Sequence, residues 1–435
     1  MSPIDLSPLF AEVVDATTKG YPLAAAPLPI SAIGAQGWSL FAGDLPLPLA
    51  VLRDSALEHN HAWMRDFTVA TGVLLAPHGK TTMAPQIFAQ QLAAGAWGMT
   101  VANVQQLGVC VRFGVRRVIM ANQLLGAREV STVSGLQARH PDLEFHFLID
   151  SLAQLAAIEA TAAATPPSRK LTALIELGVP GGRTGLRSHD DALSLARAVA
   201  ASRVVALAGL ECYEGLAISG DSARDQATVG ALMQRVKALA LACDREGLFA
   251  GDAIILTAGG SAAFDIVARE LPVRLSKPVL TILRSGCYVT HDSGNYMRLL
   301  EGVKARSGAA WQARPGLQPA LEVWSRVQSV PEPGLAILTM GKRDASYDIE
   351  LPIPLKRFPA RTGAGAEPVP ATWTIAAMND QHAYLRFAAD APEPPQVGEL
   401  VGCGISHPCT TFDKWRVLFR VDDDYRVTGA IRTFF

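Results

Sequence analysis

No charge of one sign dominates this chain of 435 residues: 39 basic residues stand against 40 acidic ones, a formal net charge of −1. Such a surface builds no field to hold a polyanion, which excludes nucleic-acid binding as the main task. No run of about 20 uninterrupted apolar residues occurs, so no helix is expected to cross a bilayer. The opening MSPIDLSPLFAEVV has no basic segment followed by an apolar one, and does not read as a secretory signal. Cysteine is scarce: Cys110, Cys212, Cys243, Cys287, Cys403 and Cys409 are scattered over the whole length. That pattern excludes a disulfide-stapled scaffold and points to a reducing compartment, with a cytoplasmic location as the expectation.

What is abundant is apolar side chain, at 49% against 18% charged. A chain of this composition buries a large core and is not disordered. Between residues 71 and 290 short apolar runs alternate with longer amphipathic ones. The short runs are VLLAP (73–77), MTVAN (99–103), RVIMAN (117–122), FHFLID (145–150), LTALIELGV (171–179), VVALAGLECY (204–213), AIILTAGG (253–260) and VLTILRSG (279–286). Near-continuous apolar runs read as strands covered on both faces. Helix-like stretches lie between most of them, including 85–96, 151–164 and 190–201, the last following Ser188 as a candidate N-cap. Strand–helix alternation implies parallel neighbours, and eight such units fit a (β/α)₈ barrel. A doubly wound sheet is the alternative, but the first strand is not followed by the G-x-G-x-x-G turn it would want.

Residues 45–53 read as a strand and 55–70 as a helix leading into the barrel. After about residue 298 the chain turns to strand-like segments separated by prolines and glycines, a β-domain signature. Residues 360–371 read as a loop. The expected fold class is therefore α/β, a (β/α)₈ barrel with a C-terminal mostly-β domain. Its expected divisions are a segment 1–53 contributing to the β-domain, a barrel over 54–298, and the β-domain over 299–435.

Barrel sites sit at the C-terminal ends of the strands. Lys80 follows strand 1 there, in His78-Gly79-Lys80-Thr81-Thr82. A lysine desolvated at an apolar barrel mouth has a lowered pKa, as a Schiff-base lysine needs; the alternative is a lysine reaching out to solvent. Gly259-Gly260-Ser261 after strand 7 leads into a helix-like stretch, and Ser285-Gly286 follows strand 8. Bare N–H groups at a helix start cradle phosphate, although ordinary glycine turns look the same. A strand-end lysine and a phosphate cradle together point to pyridoxal 5'-phosphate. Arg183, after strand 5, is placed either to donate to the cofactor's phenolic oxygen or to a substrate carboxylate, or to lie on a surface turn. In His407-Pro408-Cys409 an extended backbone would direct both the imidazole and the thiolate to one side. That pair suits a divalent ion, Zn²⁺ first and Mn²⁺ or Mg²⁺ after it; the alternative is a buried cysteine beside a hydrogen-bonded histidine.

The elements PHGKTTMAPQIFAQQLAAGAWGMTVAN (77–103), GGRTG (181–185), Gly-Gly-Ser (259–261), SGCYVTHD (285–292), GKRDASYD (341–348) and SHPCTTFDKW (406–415) give the chain a resemblance to the fold-type III pyridoxal-phosphate enzymes. More narrowly, it resembles the D-serine dehydratase and D-threonine aldolase family, whose barrel is related to alanine racemase. The resemblance implies that Lys80 carries the cofactor, that Arg183 faces its phenolic oxygen, and that Gly260 and Ser261 touch its phosphate. With Tyr213, Gly259, Gly286 and Tyr288, these residues make up the expected cofactor shell. His407 and Cys409 would hold the metal near the substrate hydroxyl. The second ligand in the aldolase branch is typically aspartate, so Cys409 directs the expectation to a D-amino acid dehydratase, a lyase, with retro-aldol cleavage as the alternative. A tyrosine opposite the lysine would signal racemase chemistry; Tyr288, Tyr296 and Tyr347 are the candidates. Relatives of this fold are commonly head-to-tail dimers, so a homodimer acting on a small D-amino acid is expected. The chain is longer than typical members, with extra residues at the N-terminus and around 360–371.

Overall fold

Near-continuous apolar runs become strands here because both of their faces are covered. The structure, a computed structural model, describes residues 4–359 and 365–435. Eight parallel strands form one sheet: β1 (Leu74–Leu75), β2 (Met99–Val101), β3 (Arg117–Gln123), β4 (Glu144–Ile149), β5 (Leu171–Leu177), β6 (Val205–Cys212), β7 (Ile254–Ala258) and β8 (Val279–Leu283). Their order is sequential from β2 to β8, and β8 then pairs with β1. The remaining seam between β1 and β2 closes through a bridge between His78 and Thr100 and through Trp97 N–H donating to Leu75 O at 2.7 Å. One layer of small and branched side chains fills the interior, including Ala76, Ile119, Leu174 and Ile282.

Four of the helices between the strands open on a side-chain cap. Asn103, Ser151, Ser188 and Asp221 each accept from a backbone N–H three residues on. Each cap satisfies a donor that the first helical turn would otherwise leave bare. The entry helix Asp54–Thr71 packs on the barrel's outside, with Phe67 edge-on to Phe264 at 5.0 Å. No helix among the described residues is long and apolar enough to cross a membrane.

The second layer is antiparallel and is built around the long strand Leu321–Glu332. Leu49–Arg53, which precedes the barrel, pairs antiparallel with it and parallel with Val417–Val421. Chain from before and after the barrel is thus stitched into one sheet. Glu322 is buried there and fully engaged: it binds Lys356 at 2.9 Å and accepts from Trp324 Nε1 at 2.9 Å and from the Tyr425 hydroxyl at 2.7 Å. The loop expected over 360–371 differs in part. Residues 360–364 lie outside the described residues, and Glu367–Pro368 is a short strand paired with Lys356 and Arg357.

The helix Asn295–Arg306 runs across the expected division at 298/299. It is tied to the barrel by a bidentate pair, Arg306 to Asp265 at 2.8 and 3.0 Å, with both side chains buried. Removing one member of a buried pair strands the other charge. Arg306→Ala should therefore cost about 3–5 kcal/mol, read as a lowered midpoint of urea unfolding. A midpoint unchanged from wild type would contradict this.

Candidate active site

The strand ends of the barrel and the β-domain enclose a cavity of about 220 Å³. Lys80, Arg183, Tyr213, Gly260, Ser261, Gly286, His407 and Cys409 all line it. Two expected members do not. Tyr288 is buried elsewhere, its ring edge-on to His61 and its hydroxyl 3.4 Å from Gln91 Nε2. Gly259 lies behind the wall. Of the tyrosines considered for racemase chemistry, Tyr296 reaches the cavity, whereas Tyr347 is exposed.

Lys80 sits in a single 3₁₀ turn, Gly79–Thr81, just after β1. Its side chain is exposed, not desolvated as the sequence suggested, because the end of β1 opens onto the cavity. His78 lies beside it with Nδ1 buried and without a partner. Burial holds that imidazole neutral, lowering its pKa well below the ordinary range, and the charge of Lys80 adds to the effect.

The glycine turn after β7 departs from the expected phosphate cradle. Gly259 N–H and Gly260 N–H both donate to the Glu214 carboxylate, at 3.1 and 2.6 Å. The Ser285 hydroxyl braces the same turn by donating to Gly259 O at 2.9 Å. The following helix starts only at Phe264, past Ser261, and spans seven residues. Gly259 and Gly260 therefore shape the turn, while Ser261 and Gly286 present polar groups to the cavity. Gly259 holds φ +93°, a conformation that favours glycine.

An ion pair forms the floor. Arg284, at the end of β8, meets Glu211 of β6, donates to Thr257 Oγ1 at 3.0 Å and to Cys212 O at 3.0 Å. Burial drives the Glu211 carboxyl's pKa upward and Arg284 pulls it back, while Glu176 and Glu214 add repulsion. Glu211 Oε2 is left buried without a partner. Orphaned polar atoms on Glu211 and His78, both lining the cavity, mark it as built for a polar ligand. The open amine of Lys80 and the donors of Ser261 fit a phosphorylated aldehyde such as pyridoxal phosphate.

His407 and Cys409 do not lie on an extended strand. Pro408 is in the αR region (φ −61°, ψ −38°) and caps the short helical turn Cys409–Phe412. Proline suits that position, since its fixed φ is helical and its missing N–H is not needed there. The turn still brings the two side chains together. His407 Nδ1 is 2.5 Å from Asp348, which also accepts from the Thr410 hydroxyl at 2.8 Å. Burial opposes charge on His407, but the Cys409 thiolate and Asp348 outweigh it and lift its pKa to about 9. The Cys409 thiol is held well below its usual range by the Cys287 thiol and by His407, against the effect of burial. Soft sulfur, imidazole and a carboxylate behind the imidazole form a donor set that fits zinc. Among the described residues no three His, Cys, Asp or Glu side chains are already gathered as a complete metal cage.

Sequence reasoning passed over Asp348, Glu214, Arg284 and Glu211. Asp348 closes GKRDASYD, and Glu214 and Glu211 flank Tyr213 at a strand end, so their places along the chain were visible although their partners were not. A metal bound by the His407–Cys409 pair would be taken up in a pH-dependent way. Below about 9 a metal must displace the proton on His407, so apparent zinc affinity should rise with pH and flatten above about 9. Competition against a chromophoric chelator would measure it; an affinity constant below that pH would contradict the ion pair.

Known proteins resemble this chain in sequence and in fold. Residues 320–421 match the family described as "Putative serine dehydratase domain". A D-threonine aldolase from Arthrobacter sp is 27% identical over 368 residues, covering 84% of this chain and 86% of that one. The D-threo-3-hydroxyaspartate dehydratase of a Delftia species is 30% identical over 152 residues, 35% of this chain and 39% of that one. Among solved structures, the D-threonine aldolase of Filomicrobium marinum superposes with TM-score 0.73 at 22% identity, covering 91% of this chain and 97% of its own. An alanine racemase-like protein of Idiomarina loihiensis gives 0.68 at 15% identity, covering 91% and 98%. In sequence the chain is thus similar to a D-threonine aldolase and a D-threo-3-hydroxyaspartate dehydratase, which supports a lyase, and its fold, an eight-stranded parallel sheet with an antiparallel C-terminal β-domain, is alanine racemase-like.

Proposed function

We propose that this chain is a pyridoxal-phosphate- and divalent-metal-dependent dehydratase of a β-hydroxy D-amino acid of the D-serine or D-threonine type. The observation that carries this reading is that Lys80 and the His407/Cys409 pair face one cavity. An amine for Cα chemistry and a soft donor pair for the β-oxygen are thereby set against the same small molecule. When bound, the cofactor supplies an electron sink for a carbanion at Cα, and a metal held by His407 and Cys409 supplies Lewis acidity toward a β-hydroxyl.

The chain's own residues do the rest. The Lys80 amine would hold the cofactor and, when free, would be the base beside the substrate's Cα. Since it stands on one wall of the cavity only, it would take the proton from one face, which makes the reaction stereospecific. Ser261 and Gly286 hold the phosphate end, against a turn fixed by Glu214 and Ser285. Arg183, 4.8 Å above the Tyr213 ring, keeps a cation at the cavity's side for the phenolic oxygen or the substrate carboxylate. Arg284 keeps a second cation at the floor. Loss of the Cα proton and the β-hydroxyl leaves an enamine, which hydrolyses to a 2-oxo acid and ammonia.

Cys409 supports elimination over carbon–carbon cleavage. A thiolate stands where the aldolase branch typically places a carboxylate. With all six cysteines free, the enzyme suits a reducing compartment, and it is read as a homodimer.

Product analysis with D-threonine tests the reading. Formation of 2-oxobutyrate and ammonia is expected, whereas glycine and acetaldehyde would establish the aldolase instead. Lys80→Ala should lower turnover by at least ~10²-fold and remove the visible absorbance of the bound cofactor. His407→Ala should keep that absorbance and lose the elimination. Normal turnover in the His407 variant would overturn the metal's part.

A further inference from the structure

Cys287 opens the short turn that follows β8 and is buried. Its Sγ lies 3.7 Å from Cys409 Sγ, although the two residues are 122 apart in sequence. Thr81, next to Lys80, reaches both sulfurs, at 3.5 Å from Cys409 and 3.8 Å from Cys287. The separation is far from a disulfide, whose sulfurs lie about 2.05 Å apart. It does equal an edge of a zinc tetrahedron: with Zn–S near 2.3 Å, two thiolates on one ion stand roughly 3.8 Å apart. His407 Nδ1 is committed to Asp348, which leaves Nε2 as the metal-binding nitrogen and puts a carboxylate behind it.

We propose that Cys287 is a third protein ligand, which turns the His407–Cys409 pair into a Cys₂His site with one open position toward the cavity. The proposal rests on the metal-dependent reading of this site and deepens it. Two ligands alone would leave two coordination positions to water; catalytic zinc sites keep three protein ligands and one position for water or substrate. The single open position takes the β-hydroxyl of the substrate and leaves no room for a second oxygen ligand. Two thiolates also select zinc over Mg²⁺ and Mn²⁺, which prefer oxygen. The Cys287–Cys409 edge is already in place. His407 already lies against Cys409, although no closed cage stands among the described residues.

X-ray absorption at the zinc edge of the full-length, zinc-loaded protein reads the ligand count without mutation. Two sulfur neighbours at about 2.3 Å are expected, and one sulfur overturns the proposal. Cobalt substitution gives an independent reading. The sulfur-to-cobalt charge-transfer absorbance should fall by about half in Cys287→Ser and again by about half in Cys409→Ser. A Cys287→Ser spectrum equal to wild type overturns the proposal; circular dichroism and cofactor absorbance confirm that the variant is folded. The two levels of the argument separate cleanly. A one-sulfur site that still supports turnover removes Cys287 alone, whereas a protein that takes up no stoichiometric metal removes the metal-dependent reading with it.

Discussion

The site depends on a close approach between the ends of the first and eighth barrel strands. A side chain at Gly286 would begin 2.5 Å from the His78 carbonyl and 2.9 Å from Thr81 Oγ1, closer than real atoms come. Glycine alone lets the two strand ends meet there, where His78 N–H donates to Arg284 O at 3.2 Å. That contact sets Lys80 and Thr81 against Cys287. The β-domain then supplies Cys409 to the same point, because its sheet incorporates Leu49–Arg53 from the chain just before the barrel. The β8–β1 closure, Lys80 and the Cys287–Cys409 pair thus meet at one packing constraint.

Charge is arranged around that point with little waste. Glu176, Glu211 and Glu214 crowd the cavity's base, and each is engaged: Glu176 by Gln123 and Thr184, Glu211 by Arg284, Glu214 by the two glycine N–H groups. Buried carboxylates of this kind do not stabilise a fold relative to apolar packing, since desolvation offsets their attraction. They are better understood as fixing positions. Glu214 immobilises the turn that carries Ser261, and Glu211 aims Arg284 along the floor. A site with its donors already oriented loses little order when a charged ligand arrives.

The barrel was legible from the sequence because its signals are local. Eight apolar runs and helix starts such as Ser188 need no knowledge of distant residues. Lys80, Ser261, His407 and Cys409 were legible for a similar reason: strand ends and close spacing point to them directly. Contacts between distant segments were not. Nothing local announces that Glu214 reaches the glycines 45 and 46 residues on, or that Asp348 meets His407. The shape of 407–409 was misread as extended because i and i+2 proximity arises in a proline-capped turn as well as in a strand. Tyr288 lies only two residues from Gly286, yet the 3₁₀ turn Cys287–Val289 directs it away from the cavity.

The central claim is that the Lys80 amine carries the cofactor at the barrel mouth. Borohydride reduction of the pyridoxal-phosphate-loaded protein, followed by proteolysis and mass spectrometry, tests it most directly. The account predicts a reduced pyridoxyl group on Lys80, in the peptide containing His78-Gly79-Lys80-Thr81. A group fixed on another lysine, or none at all, would contradict it.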